Sequence, residues 1–550
     1  MKLVIVGGVA GGASAAARAR RLSEGADIVL FERGPDVSFA NCGLPYHIGE
    51  VIPRRDKLLV TTPERLRERF RLDVRTRTDV QAVDRHRKTV RVRDLTAGRV
   101  YDESYDKLIL APGAAPIRPP VPGADLPNVF TLRTLADTDR IKAAVDGGVR
   151  RAVVVGAGFI GLEMVENLVR RGIATTVLDR NRQVLSPFDA EMTTPLLAAL
   201  AETGVEVLLG QTAAAITPGP DGMTVTLASG DARTAQLVVF GVGVRPENTL
   251  AVQAGLEVGP RGGIRVNECL QTSDPDIFAV GDAVETDEFA TGERTQVPLA
   301  GPANRQGRIA ADNAFGRNTT YRGTQGTAVI GLFGKTAAMT GRSEKSLKRQ
   351  GRPFRKVYVH PAHHAGYYPG AEGMSLKVIF DPDSGKLLGA QGVGGAGVDK
   401  RVDVLAVAIQ AGMTAFDLEE MELCYAPQFG SAKDPVNMAG FVAGGLLRGD
   451  HPQVDWEAVA AAAESFLLDV RTPKEFADGH IPGAVNLPVD GLRGRLGELP
   501  KDRPIVAYCQ VGQRGYIATR ILVQAGFRAC NLGGGYQTYL LHLGPRLSPG

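Results

Sequence analysis

Short apolar runs alternate with stretches of helical period over the first half of the chain, the pattern of parallel strands joined by crossover helices. Lys2–Val6 reads as a strand that runs into a glycine loop, followed by an Ala- and Arg-rich helix over 13–22 and a second strand, Asp27–Phe31. The same order recurs as a strand at 152–155, a second glycine loop, a helix over 162–169 and a strand at 175–178. Between the two, residues 72–112 alternate in the manner of strands at Val74, Val80, Val83, Val90 and Val92, and close on an apolar run before Ala111-Pro112-Gly113. Leu237–Phe240 and 277–280 read as further buried strands, each followed by a glycine. Residues 447–456 read as a linker by composition, and 457–550 as a separate α/β module.

Composition narrows the class. A chain of 550 residues predicts three or four domains. An apolar fraction of 44% and a charged fraction of 23% are those of a globular protein with ample core. The net charge of +4 is small for this length and implies no nucleic-acid partner. Five scattered cysteines, an odd number, are no disulfide framework and fit a reducing, cytoplasmic setting. The N-terminus opens directly on a strand rather than a signal peptide. No run approaches the roughly 20 apolar residues that span a bilayer, so no membrane partner is expected.

The chemistry is carried by loops. Gly7-Gly8-Val9-Ala10-Gly11-Gly12 follows a strand and precedes a helix, with Glu32 at the end of the next strand where a ribose hydroxyl would be bound. Gly156-Ala157-Gly158-Phe159-Ile160-Gly161 is a full G-x-G-x-x-G, with Asp179 about 20 residues on. The Asp179 carboxylate favours NADH because it repels a 2′-phosphate, while Arg180 and Arg182 leave NADPH open. A third piece, 272–282, ends in Gly281-Asp282, where the acid suits a flavin ribityl hydroxyl and a following helix would face the pyrophosphate. The second dinucleotide unit is therefore inserted within the first. Ala111 and Gly113, where the chain returns from the first unit, are further candidate cofactor contacts.

Two cysteines stand out. Cys42 lies in Ser38-Phe39-Ala40-Asn41-Cys42-Gly43-Leu44-Pro45-Tyr46, flanked by Asn41 and Gly43, with Pro45 delaying the helix. That predicts a thiol at a helix N-terminus, its thiolate stabilised by the helix dipole. The place of a second redox cysteine is taken by His47, so a disulfide at Cys42 must be with a substrate, or Cys42 carries a sulfenate or persulfide. Cys509 ends a strand and opens the loop Cys509-Gln510-Val511-Gly512-Gln513-Arg514-Gly515, a cradle that suits a thiolate or persulfide anion. Cys424 reads as a packed core thiol, and the histidines at 360–364 lack the companions a metal site needs, so no metal is assigned.

The first loop with Glu32, the inserted unit from Gly156 to Asp179 and the 272–282 stretch together resemble the two-dinucleotide pyridine nucleotide–disulfide oxidoreductases, over roughly residues 1–445. The 38–46 stretch resembles the single-cysteine branch, the coenzyme A-disulfide reductases and NADH-dependent persulfide reductases. NADH oxidases and peroxidases share the cysteine but usually carry a His in the first loop, where this chain has Val9 and Ala10. Residues 457–550 resemble a rhodanese domain. The resemblance implies an α/β chain: a Rossmann-like FAD-binding domain at 1–115 and 250–325, a Rossmann-like NAD(H)-binding domain at 116–249, an α+β dimerisation domain at 326–446, and the rhodanese α/β domain. It implies a homodimer in which Tyr367 and Tyr425 reach the partner subunit's site and hydrogen-bond the sulfur on Cys42 or the departing thiol. It also places Ser14, Arg18, Arg21, Ser38, Asn41 and Lys433 at coenzyme A contacts, with Arg305 a further cation for its phosphates. The expected activity is FAD-dependent, NAD(P)H-driven reduction of a persulfide, polysulfide or coenzyme A disulfide at Cys42, coupled to sulfur carriage at Cys509 with Arg514. The alternatives are a coenzyme A-disulfide reductase with a regulatory rhodanese module, and a sulfurtransferase with a redox-sensing flavin part.

Overall fold

The computed structural model describes residues 1–461 and 464–544. Residues 1–182 and 208–326 form one compact unit. Its first sheet is parallel, in the order Ile277–Ala279, Lys107–Leu110, Lys2–Val6, Asp27–Phe31, Asp73–Arg75. Val4 pairs with Val29 on one side and Leu108 on the other, and all three are buried. Burial on both faces is why these strands are continuously apolar rather than alternating. The helix Ala10–Leu22 buries Ala15, Ala16 and Ala19, and these small side chains let it pack against the helix Ala300–Ala314. A Cβ on Gly307 would lie 2.1 Å from the Gly11 carbonyl oxygen, so the crossing needs glycine there.

One expectation is corrected at this sheet. No helix directly follows Asp282. The β-branched residues that come next fit a pleated surface, and Val284–Asp287 pairs antiparallel with Arg294–Thr295. The helix begins only at Ala300, from which Gln306 reaches back to accept the Gly281 N–H at 2.7 Å.

A second parallel sheet carries Ala174–Asp179, Arg151–Val155, Leu237–Phe240 and Val129–Thr131 side by side. Its crossover helix, Phe159–Arg170, starts at Gly158. The opposite face of this helix packs on the short helix Leu44–Ile48 just past Cys42.

Residues 183–207 and 327–550 form a second unit. Its antiparallel sheet runs Ala328–Leu332, Lys335–Gly341, Leu387–Gly394, Met374–Phe380, Arg355–Val359. Residues 183–207 fall within the span expected to bind NAD(H), yet they group here. Lys377, fully buried on this sheet, donates to Asp189 (2.9 Å), Glu191 (2.6 Å) and Glu344 (2.7 Å). The three carboxylates hold Lys377 above the ordinary lysine range, and its ammonium occupies the place that a metal ion would take among them.

The C-terminal module is a parallel sheet in the order Gln453–Val454, Ala529–Leu532, Ile505–Tyr508, Phe466–Asp469, Val485–Asn486. The span read as a linker joins the helices and strand on either side of it. The helix Pro435–Leu447, capped by Asp434, runs to its start, Gln453–Val454 joins the sheet as an edge strand, and Trp456 opens a helix and packs edge-on to Tyr539 at 4.6 Å. The module is seated by polar contacts on the antiparallel sheet, through His360 Nε2 to Thr538 Oγ1 at 2.8 Å and Lys356 Nζ to Glu457 at 2.7 Å, and on the helix Thr194–Glu202, through Thr194 Oγ1 to the Leu541 carbonyl at 2.7 Å.

Candidate active sites

The two glycine loops are built alike. Gly7 has φ +98° and a Cβ there would meet the Ala111 carbonyl oxygen at 2.1 Å; a Cβ on Gly12 would sit 1.8 Å from the Gly7 oxygen. Gly156 (φ +109°) faces the Gly241 carbonyl, and a Cβ on Gly161 would sit 1.8 Å from the Gly156 oxygen. These glycines are demanded by the protein itself, for the turn and for helix–strand packing. Gly158 differs, since nothing lies within 4 Å of its missing Cβ. Space kept clear above a helix N-terminus is what a dinucleotide pyrophosphate requires, so the residues fit the group. The strand-end acids face the same loops: Glu32 accepts the Gly8 N–H at 2.8 Å and Asp179 accepts the Ala157 N–H at 2.8 Å. Gly11 packs against Val280, just before Gly281 and Asp282, so the third expected piece closes the first cradle.

Cys42 sits in the single turn Asn41–Gly43 that leads into Leu44–Ile48. Its side chain is open to solvent on one side. The expected low thiol pKa is not found. Surrounding protein, then the carboxylates of Glu163 and Asp282, push it up, and they outweigh the backbone hydrogen bond that pulls it down. A helix of five residues has too little dipole to reverse this. Asn41 Nδ2 donates to the Arg133 carbonyl at 3.3 Å, and Arg133 lies 3.7 Å from Asp282. Burial raises the Asp282 pKa while Arg133 opposes the shift. The Arg133 guanidinium also closes over Gly113, 2.5 Å from where a Cβ would be.

Three residues of this site were missed in the sequence: Arg133, Tyr46 and Glu163. The Tyr46 hydroxyl donates to Glu163 at 3.3 Å. Glu163 is pushed up to about 7 by burial, and Tyr46 to about 12 by burial and then by Glu163. An acid two places after the last glycine of a G-x-G-x-x-G was the available signal, since an exposed helix face needs none at that spot.

The proposed coenzyme A contacts fall in two places. Ser14 donates to Asn304 at 2.9 Å, Arg18 pairs with Asp312 at 2.7 Å, and Arg21 is exposed. Arg305 is exposed and lies over the Tyr321 ring, and Ser38 has φ +47° in the chain leading to Cys42. Arg20, by contrast, is buried and donates to five backbone carbonyls, which makes it a structural tie. Lys433, Tyr367 and Tyr425 belong to the second unit; Lys433 is exposed, and the two tyrosine hydroxyls lie 2.9 Å apart. Tyr367 is 76% and Tyr425 48% exposed, unusual for aromatic rings. Cys424, expected to be packed, is exposed beside them in the segment that follows the helix Ala415–Glu420.

In the C-terminal module Cys509 is buried at the end of its strand, and Gly512 (φ +98°) turns the loop into the helix Gln513–Gln524. The Cys509 and Gln510 carbonyls accept N–H bonds from Tyr536 (2.7 Å) and Gln537 (2.9 Å), which fixes the loop from behind. Arg514 donates to both oxygens of Glu475 and faces the Cys509 sulfur. Buried Arg471, clamped by Asp469, donates to Gln510 and lies over the Tyr536 ring.

Two dinucleotide cradles beside a lone cysteine define a flavin- and nicotinamide-dependent reductase. Comparison with known proteins agrees. The pyridine nucleotide-disulphide oxidoreductase model matches residues 1–307, the dimerisation domain of that family matches 330–435, and the rhodanese-like domain matches 455–542. The chain belongs to the pyridine nucleotide-disulphide oxidoreductase family and carries a rhodanese domain. It is 37% identical to a coenzyme A disulfide reductase of Staphylococcus aureus over 80% of this chain and 99% of that protein. It is similar to the reduced CoADR-RHD of Bacillus anthracis (47% identity, TM-score 0.96, 98% of both chains). It is also similar to a NAD-dependent persulfide reductase from A. fulgidus (36% identity, TM-score 0.92, 98% of this chain and 100% of that one). Among the described residues no helix is long and apolar enough to cross a membrane.

Proposed function

We propose that this protein is a cytoplasmic homodimer that uses NADH to reduce a coenzyme A persulfide, a related polysulfide, or coenzyme A disulfide at Cys42, with Cys509 carrying sulfur to or from that site. One observation carries the reading: a single chain holds a lone cysteine beside two dinucleotide cradles and a second cysteine in an anion-binding loop. The persulfide reductase of A. fulgidus and the CoADR-RHD of Bacillus anthracis each match over 98% of this chain, which supports a reductase joined to a rhodanese domain.

The net persulfide reaction is NADH + H⁺ + CoA–S–SH → NAD⁺ + CoA–SH + H₂S. The Cys42 thiolate attacks the outer sulfur, the S–S bond of the substrate breaks, and CoA–S⁻ departs. Two electrons then cleave the Cys42 persulfide and release sulfide. FAD, held by Gly7, Gly8, Gly11, Gly12, Glu32, Gly281 and Asp282, supplies electron transfer between nicotinamide and sulfur. Asp179 orients the nicotinamide nucleotide. Arg21, Arg305 and Lys433, exposed and cationic, suit the phosphates of coenzyme A. Tyr367 and Tyr425 serve as hydrogen-bond donors to sulfur.

The test is anaerobic NADH consumption with sulfide assayed in parallel. Coenzyme A persulfide should give fast turnover with one sulfide per NADH, and Cys42→Ser should abolish it. Turnover on coenzyme A disulfide alone would establish a thiol-redox enzyme instead. Sulfur transfer that needs Cys509 but neither NADH nor Cys42 would establish a sulfurtransferase.

A further inference from the structure

Glu163 has no part in the chemistry described so far, yet it is the acid that the fold brings to Cys42 from the other dinucleotide unit. It lies in the N-terminal half of the helix Phe159–Arg170, and the short helix Leu44–Ile48 that follows Cys42 packs on that helix. Its carboxylate accepts from the Tyr46 hydroxyl, 117 residues away in sequence. Among the described residues no Lys, Arg or His forms an ion pair with it. The cations nearby are spent elsewhere: Lys142 and Arg171 on Glu50 and Asp146, and Arg133 on Asp282. The other charged group acting on it is Glu166, on its own helix. A half-buried carboxyl with a phenol for a partner and a thiol for a neighbour is poorly placed for holding the fold together.

The reaction leaves a proton in need of such a group. A hydride carries two electrons and one proton, and the S–S bond takes only the electrons: H⁻ + Cys42–S–SH → Cys42–S⁻ + HS⁻ + H⁺, and likewise for a mixed disulfide with coenzyme A. We propose that Glu163, aided by the Tyr46 hydroxyl, stores this proton beside Cys42 and returns it to the departing thiolate or sulfide. The proposal rests on the reductase reading of Cys42. The carboxylate becomes Glu163–COOH as the two sulfur anions form, so negative charge does not accumulate in the site. A carboxyl raised to about 7 by burial exchanges its proton readily at neutral pH.

The test needs no turnover. In the reduced holoenzyme the rate of Cys42 alkylation by iodoacetamide is followed from pH 5 to 10, with Cys42→Ser run in parallel to subtract labelling at exposed Cys424 and the other thiols. The Glu163 carboxylate opposes the Cys42 thiolate, so Glu163→Gln should shift the alkylation profile to lower pH and speed alkylation severalfold near pH 7. Tyr46→Phe should shift the profile by less. In turnover, Glu163→Gln should lose an inflection of kcat near pH 7 while KM for NADH stays within about twofold. Thermal melting shows whether both variants are folded. An unchanged alkylation profile in two folded variants, with the kcat profile unmoved, overturns the proposal. Because alkylation involves no substrate, failure of both coenzyme A substrates to turn over would count against the reductase reading alone.

Discussion

Arg514 donates to both carboxylate oxygens of Glu475, at 2.8 and 2.6 Å. The same carboxylate accepts the Thr472 N–H at 2.9 Å and completes a capping box on the helix Pro473–Ala477. Arg514 and the cap together hold Glu475 down at about 2. The pair fixes the guanidinium that faces the Cys509 sulfur, and a Gln at 475 keeps the cap while removing the charge. Glu475→Gln should therefore lower NADH-independent sulfur transfer to cyanide on the order of tenfold, as for one charge-assisted hydrogen bond. NADH turnover on coenzyme A disulfide should be unchanged. A thiocyanate assay beside an NADH assay separates the two; equal loss in both would mean general unfolding.

Lys377 gives the largest stability prediction. Replacement by Met leaves Asp189, Glu191 and Glu344 buried without their shared cation. Breaking a buried ion cluster by removing one partner costs about 3–5 kcal/mol. Chemical denaturation should show that loss, and hydrogen exchange should show it first in 183–207, which this ammonium ties to the sheet. A loss under about 1 kcal/mol would mean that water replaces the lysine.

This cluster also marks the limit of the sequence. Gly7, Gly156 and Gly161 were legible because the constraint on each is local: a positive φ, or a carbonyl within 2.5 Å of the missing Cβ. Glu32 and Asp179 were legible because a strand of fixed length delivers them to the loop. The grouping of 183–207 with the second unit was not, since it depends on Lys377 lying 186 residues from Glu191. Tyr46 stood within the stretch singled out around Cys42, but its partner Glu163 reads as an ordinary helix residue until the two helices meet. The strands after Asp282 were missed for a different reason: Val284–Asp287 and Arg294–Thr295 are four and two residues long, too short to show a period.

Asp179 is the residue expected to set the nucleotide preference. Its carboxylate accepts from the Ala157 N–H and from the Asn181 N–H and side chain, all at 2.8 Å, which fixes it beside the loop. Arg180 and Arg182 are exposed next to it. Asp179→Ala should raise KM for NADH about tenfold and lower KM for NADPH, because a 2′-phosphate would then meet two guanidiniums without the opposing carboxylate. Steady-state kinetics with both nucleotides tests this; an unchanged NADH/NADPH ratio would place the discrimination elsewhere.

His360 predicts how the rhodanese module responds to acid. Its Nδ1 bonds Ser375 at 2.9 Å and its Nε2 bonds Thr538 at 2.8 Å, so the ring joins the antiparallel sheet to the module. Burial holds its pKa down at about 3, against 6.5 for a free ring. Between these values the unfolded chain binds more protons than the folded one, so stability falls as pH drops below 6.5 and is unaffected by this group above it. At pH 5 the cost is about 2 kcal/mol at most. Thr538→Val removes one partner of the ring without changing its charge, and should loosen the seat at all pH values. His360→Gln should flatten the acid limb. Hydrogen-exchange protection at 535–543, the helix that carries Thr538, taken relative to the free-peptide rate at each pH, should therefore fall between pH 7 and pH 5 in the wild type and much less in His360→Gln. If both proteins lose protection equally, acid loosens the module through Lys356 and Glu457 instead, and His360 is only a spacer in the seat.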